Sequence, residues 1–273
     1  MSELKFSKMN GAGNDYVFVL EQESLPCNLS ALSIKLSNRH KGIGSDGLVV
    51  ISKSEIADWK MRIFNADGSE AEMCGNAACC VALFLYSKSL IHEHSFTLET
   101  LAGIKHLRIN YDNTVTIDMG EPILVPAQIP FHAESHQTEL VVEGETVSLT
   151  AVSMGNPHGV VFCEDVEHCL LEKVGEALQQ NPVFPTGANI EFVEVLNRDN
   201  IKIRILERGS GETMACGTGA SASLVAACLG GKCNRRVAVH QRGGTTQVEW
   251  KESDNHVYLT ESPEFSFEGF VQV

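Results

Sequence analysis

The sequence predicts an α+β fold of two pseudo-symmetric domains, with a ligand site in the cleft between them. Each domain is a strand-rich sheet or barrel around one central apolar helix. Three observations predict it. A motif recurs at a fixed offset: RIFNADGSEAEMCGNAA begins at Arg62 and RILERGSGETMACGTGA at Arg204, so Cys216 follows Cys74 by 142 residues. The same offset joins Gly13-Asn14 to Gly155-Asn156, well outside that stretch, without a gap. Finally, the stretch after each repeated Cys-Gly is apolar nearly all round, as in a buried helix.

The elements follow in the same order in both halves. A Gly-Asn turn opens into an apolar strand, 16–20 and 159–162. Helical stretches follow at about 30–39 and 168–180. Strands come next at 48–52 and 59–64, matched by 190–196 and 201–206. A Gly-rich polar loop leads to the helices 75–87 and 217–229, whose small residues (Ala77, Ala78; Ala220, Ser221, Ala222) admit close neighbours. Alternating strands end each half: 95–100, 105–110 and 114–119; then 236–240, 246–251 and 256–260. The expected domains are 1–118 and 119–262, of about equal size.

Composition narrows the function. The formal charge of −14 and the lack of any Lys/Arg run argue against a nucleic-acid partner. No apolar run is long enough to span a bilayer, and the first residues carry no signal-peptide pattern, so a cytoplasmic location is expected. Nine cysteines, an odd number in such a chain, do not suggest a disulfide framework. The spacing of Cys74, Cys79 and Cys80 does not suit zinc, so no metal is expected. Cys27, Cys163, Cys169, Cys228 and Cys233 read as small buried hydrophobes.

Cys74 and Cys216 stand apart. The first N–H groups of a helix lack internal partners and lie at its positive dipole end. They hold carboxylates and favour thiolate over thiol. Gly75 and Gly217 leave the backbone open to a ligand. With two such mouths face to face, a carboxylate held between them would place its α-carbon between two sulfurs. One thiolate could then remove a proton and the opposite thiol return one: inversion by two-base catalysis. Asn14, Asn65, Asn156 and Asn189 can donate and accept hydrogen bonds. Arg208 could grip a carboxylate and Glu207 an ammonium. No Schiff-base lysine with a phosphate cradle is discernible, so no cofactor is expected.

At these residues the sequence resembles the diaminopimelate epimerase family, through KMNGAGND, RHKGIGSDGL, FNADGSEAEMCGNAA, MGEP, VSMGNPH, GANIEF and ERGSGETMACGTGA, in family order. The resemblance implies two similar α+β domains, with the tail 263–273 returning to the first. It implies that Cys74 and Cys216 are the acid/base pair and that Gly75, Asn76, Gly217 and Thr218 hold the reacting carboxylate. Glu207 would stand near the reacting ammonium and His158 would support the thiol chemistry. Asn14, Asn65, Asn156, Asn189 and Arg208 would hold chiefly the distal, unreacting centre. The implied reaction interconverts LL- and meso-diaminopimelate, in lysine and peptidoglycan-precursor synthesis. The implied partner is a small diamino-dicarboxylate; homodimerisation is left open. The family usually reads CGNGARC where this chain reads CGNAACC, so Ala77 and Cys79 replace Gly and Arg. That departure keeps a second reading alive: a cofactor-independent racemase of relaxed or different specificity, acting on glutamate or a proline-like acid.

Overall fold

The computed structural model describes residues 3–21 and 25–273. The chain forms two compact units. One runs to Ile117 and takes back Thr260–Val273; the other is Asp118–Leu259.

The first unit opens with a hairpin of β1 (Glu3–Gly11) and β2 (Asn14–Leu20). Gly11 pairs with Asn14, and the two loop residues, Ala12 and Gly13, both have positive φ (48° and 85°). This is the type I′ geometry that suits the twist of a two-residue hairpin. Helix α1 (Leu29–Ser37) is capped by Asn28, whose side chain accepts from the Ala31 N–H at 2.9 Å. It crosses to β3 (Gly47–Ser52), which pairs parallel with β2. Next come β4 (Trp59–Asn65) and a short return strand β5 (Glu70–Ala71), then α2 (Gly75–Ser87). The unit continues with β6 (Ser95–Thr100), β7 (Gly103–Ile109) and β8 (Val115–Gly120). Because alternate strand residues face opposite sides, Val17, Val19, Leu48 and Val50 pack under Leu32 and Leu36 of α1. The wholly buried Phe18 and Val49 point the other way. Helix α2 runs along β1, β2 and β7. Ten of its thirteen residues are buried, so it has no polar face, as its sequence requires.

The second unit repeats this plan. It begins with β9 (Gln137–Val142), β10 (Glu145–Ser153) and β11 (Pro157–Phe162). A π-helical turn (Leu171–Gly175) and the short α3 (Glu176–Gln179) stand where the sequence predicts one helix over 168–180. Leu171, Val174 and Leu178 still face inward; Gly175 is the tight point, since a Cβ there would lie 3.3 Å from Leu206. The widened turn keeps that face against the sheet. Then follow β12 (Asn189–Asn197), β13 (Asn200–Glu207), β14 (Gly211–Glu212), α4 (Gly217–Leu229), β15 (Arg236–Gln241), β16 (Gly244–Trp250) and β17 (Val257–Glu261). The two Cys-Gly helices occupy 75–87 and 217–229, the residues the pattern predicted.

The strand pairings match as well: β10–β11 repeats β1–β2, the parallel β11–β12 repeats β2–β3, and the parallel β13–β15 repeats β4–β6. Both β4–β5 and β13–β14 are tied by a forked ion pair. Arg62 grips Glu70 at 2.7 and 3.0 Å, and Arg204 grips Glu212 at 2.7 and 2.9 Å. These clamps fix the loops that lead to the two cysteines. Strand β18 (Glu264–Gln272) lies antiparallel on β1, with Glu3 opposite Gln272. In the second unit β9 lies on β10, with Glu145 opposite Val142. The C-terminal strand thus fills in the first unit the place that β9 fills in the second. No helix among the described residues is long and apolar enough to cross a membrane.

Candidate active site

Cys74 is the N-cap of α2, extended at φ −140° and ψ 119°. Cys216 is the N-cap of α4, at φ −142° and ψ 118°. The fold therefore places both thiols at helix mouths with nearly the same backbone. Their surroundings differ. Cys74 is half-buried, and the Tyr16 hydroxyl donates to its sulfur at 3.5 Å. Cys216 is buried; its sulfur accepts the Gly219 N–H at 3.4 Å and lies 3.3 Å from Thr218 Oγ1. Its backbone N–H donates to Gln241 Oε1 at 2.8 Å.

The helix mouth was expected to favour thiolate. At Cys216 burial overrides it and pushes the thiol well above its usual value, with the charge of Glu207 adding to the shift. The hydrogen bonds from Thr218 and Gly219 work the other way and are outweighed.

The asparagines lie at matching places. Asn76 Nδ2 donates to Asn14 Oδ1 at 2.8 Å in the first unit. Asn156 Nδ2 donates to Thr218 Oγ1 at 3.4 Å in the second, the same pair of positions displaced by 142. Asn76 Oδ1 is buried without a partner among the described residues, an acceptor that a ligand donor would satisfy. Asn14 is held by a charged cluster that the sequence reading did not identify. The buried Lys8 ammonium binds the Asp15 carboxylate and the Gly44 carbonyl. Arg39 bridges Asp15 at 2.7 Å and Asp46 at 2.9 Å, and Asp46 receives the Asn14 amide at 3.4 Å. Burial alone would raise Asp15, but Arg39 and Lys8 together bring it below the usual range.

His158 is wholly buried on β11. Its Nε2 lies 3.0 Å from Asn156 Oδ1, and its Nδ1 lies 2.6 Å from Glu191 Oε1. The Asn156 oxygen can only accept, so Nε2 carries a proton; this assignment follows from the hydrogen-bond network. One further proton lies between Nδ1 and Glu191. Burial raises Glu191 despite the pull of His158. A line of contacts thus runs Glu191–His158–Asn156–Thr218–Cys216. The sequence reading missed Glu191, although GANIEF contains it. A lone carboxylate in a strand buried on both faces was the available signal. Tyr16 was missed too, although it stands 142 residues before His158.

The remaining expected residues are partly engaged. Glu207 accepts from the Thr213 hydroxyl. Asn65, its counterpart in the repeat, is exposed and donates to Ser69 Oγ at 2.9 Å. Asn189 is buried and accepts the Arg208 backbone N–H at 2.8 Å, while the Arg208 guanidinium donates to the Thr186 carbonyl at 2.8 Å. A Cβ at Gly75 would meet nothing within 4 Å, so packing does not demand this glycine, whereas access to the helix mouth would. At Gly219 it would lie 2.5 Å from Ile205 and 2.9 Å from Glu191, so packing does. Ala77 and Cys79 are fully buried, and the Cys79 thiol points at the Val115 carbonyl, 3.8 Å away. Among the described residues no three His, Cys, Asp or Glu side chains gather as a metal-ligand set.

Comparison with known proteins places this arrangement. A phenazine biosynthesis protein of the PhzF family from Bacillus anthracis shares the fold, with a TM-score of 0.70 at 17% identity over 100% of both chains. A hydroxyproline epimerase from Agrobacterium vitis, solved with trans-4-hydroxy-L-proline, matches at 0.66 and 16% identity over 99% of this chain and 91% of its own. The fold class is thus one that includes an amino-acid epimerase. The diaminopimelate epimerase family model matches residues 6–125 and 150–266. The diaminopimelate epimerase of Methanococcus maripaludis is 46% identical over 99% of this chain and 100% of its own, and that of Acetivibrio thermocellus 47% over 99% of each. The chain belongs to the diaminopimelate epimerase family, and is an isomerase.

Proposed function

We propose that this protein interconverts LL- and meso-diaminopimelate, with Cys74 and Cys216 as the two acid/base groups working on opposite faces of one α-carbon. The observation that supports this most is the repeated placement of a cysteine as N-cap of a buried helix. On this reading the free N–H groups at Gly75, Asn76, Gly217 and Thr218 hold the reacting carboxylate and offset the charge that grows on proton loss. Glu207, and the unsatisfied Asn76 Oδ1, accept from the ammonium. Asn14, Asn65, Asn156, Asn189 and Arg208 hold the distal centre, and His158 sets the contacts that reach Thr218 beside Cys216.

Cys216, kept protonated by burial, serves as the resting proton donor, and the opposite thiol takes the substrate proton. The two thiols make both transfers, so the reading gives no step to a cofactor. The product lies on the route to lysine and peptidoglycan precursors, in the cytoplasm. The reading of relaxed specificity rests on Ala77 and Cys79, which are fully buried and act on a ligand only through the packing around α2.

The test is to incubate the reduced protein with LL-diaminopimelate without added cofactor and follow the meso isomer. Formation of meso product supports the reading. Its absence, with turnover of glutamate or a proline-like acid instead, would transfer the site to another substrate.

A further inference from the structure

Helix α4 carries Cys216 at one end and a second thiol, Cys228, in its last turn. The chain leaves the helix through Gly230-Gly231. The Gly231 N–H donates to the Cys228 carbonyl at 2.9 Å, and the Lys232 N–H to the Ala227 carbonyl at 2.9 Å. Gly231 takes φ +65°, a conformation that glycine adopts without steric cost, and open space surrounds it. This reversal brings Cys233 back over the helix end, and its sulfur lies 3.8 Å from that of Cys228. The pair lines a surface pocket with Arg198, Asn234, Arg235 and Trp250. Cys228 is half-buried, and Cys233 is buried behind it. Cys233 is buried, as the sequence reading expects of it, whereas Cys228 is only half-buried and Cys27 is exposed.

The charges at the pocket favour reaction at Cys228. A helix C-terminus by itself disfavours a thiolate. When protonated, Cys228 also donates to the Asn234 carbonyl at 3.3 Å. Against these, the Cys233 thiol, which can be donor or acceptor in the 3.8 Å pair, donates to a Cys228 thiolate, and the Arg235 guanidinium stands near. Together they overcome partial burial and hold Cys228 below its usual value; Cys233 is correspondingly raised. Arg235 is fixed, stacked on Trp250 at 4.2 Å and paired with Glu252 at 3.1 Å.

We propose that Cys228 and Cys233 form a peroxide-reactive thiol pair, a modification site separate from Cys74 and Cys216, in which Cys228 is oxidised and Cys233 resolves it as a disulfide. The Cys228 thiolate attacks the outer oxygen of a hydroperoxide. The O–O bond breaks, the sulfur becomes a sulfenic acid, and the departing alkoxide or hydroxide takes up from solvent the proton that Cys228 released on ionising. Cys233 sulfur then attacks the Cys228 sulfur, the S–S bond forms, and the hydroxyl leaves with the Cys233 proton as water. Two thiols lose two electrons and the peroxide gains them. Closing the sulfurs from 3.8 Å to a bond of about 2.05 Å requires side-chain rotation and a small shift in the Gly-Gly turn.

The test uses the full, reduced protein. It is treated with hydrogen peroxide, its remaining thiols are blocked with iodoacetamide, and it is digested with trypsin. Trypsin cuts after Lys232, so the disulfide appears as two joined peptides. The exposed Cys27 serves as the internal reference. The joined peptide should form about tenfold faster than Cys27 is lost. In Cys233→Ser, Cys228 should instead be labelled by a sulfenic-acid probe. If Cys27 is oxidised while Cys228 and Cys233 both remain alkylated, the proposal is overturned. If the joined peptide forms but Cys228 stays unlabelled in Cys233→Ser, the assignment of Cys228 as the attacked thiol is overturned.

Discussion

His158 Nδ1 lies 2.6 Å from Glu191 Oε1, and both side chains are wholly buried. A carboxyl in that position is easier to keep neutral than charged, and burial raises its pKa. The unfolded chain loses the Glu191 proton near 4.5, while the folded chain retains it to higher pH. Glu191 therefore contributes stability that is fully present below about 4.5 and is lost as pH rises through its raised folded value. Glu191→Gln keeps the shape and cannot ionise. Urea unfolding from acid to neutral pH should show this variant gaining on the parent protein as pH rises. An offset independent of pH would contradict the raised Glu191.

Burial also governs Cys216. Its alkylation by iodoacetamide should stay slow at neutral pH in the substrate-free protein and accelerate only in the alkaline range. A rate already at its plateau by neutral pH would show that the helix mouth, not burial, sets this thiol.

Tyr16 donates to Cys74 at 3.5 Å. Tyr16→Phe removes that donor and little volume. Alkylation of Cys74 at neutral pH should slow, with a loss of about three- to tenfold in turnover and little change in KM. An unchanged alkylation rate would leave Tyr16 a packing residue only.

Two glycines separate access from packing. Gly219→Ala forces a methyl against Ile205 and Glu191 and should cost about 1–3 kcal/mol in unfolding free energy. Gly75→Ala meets nothing and should melt like the parent, yet raise KM by obstructing the α2 mouth. Equal stability losses in both would remove the distinction.

Much of this was legible in the sequence because the repeat is gapless between residues 13 and 220. An offset of 142 carried Cys74 onto Cys216, and the apolar runs after them set both helices. Strands β1 and β10 were not read. The buried Lys8 interrupts the apolar pattern of β1, and its ion pair with Asp15 and its hydrogen bond to the Gly44 carbonyl explain why it lies inside. Strand β18 was equally hidden. It is mostly exposed, and only pairing with residues some 260 positions away makes it a strand. The Lys8–Asp15–Arg39–Asp46 cluster and the Glu191 contact likewise depend on neighbours distant in sequence, which local pattern does not encode.

The measurement that bears most directly on the two-thiol account compares the parent with Cys74→Ala and Cys216→Ala. Each folded, reduced protein is incubated with LL-diaminopimelate in heavy water, and deuterium at the α-carbon is followed with the meso isomer. The account predicts deuterium entering with meso product in the parent, and epimerisation abolished in both variants. Near-parental epimerisation by either variant would contradict it.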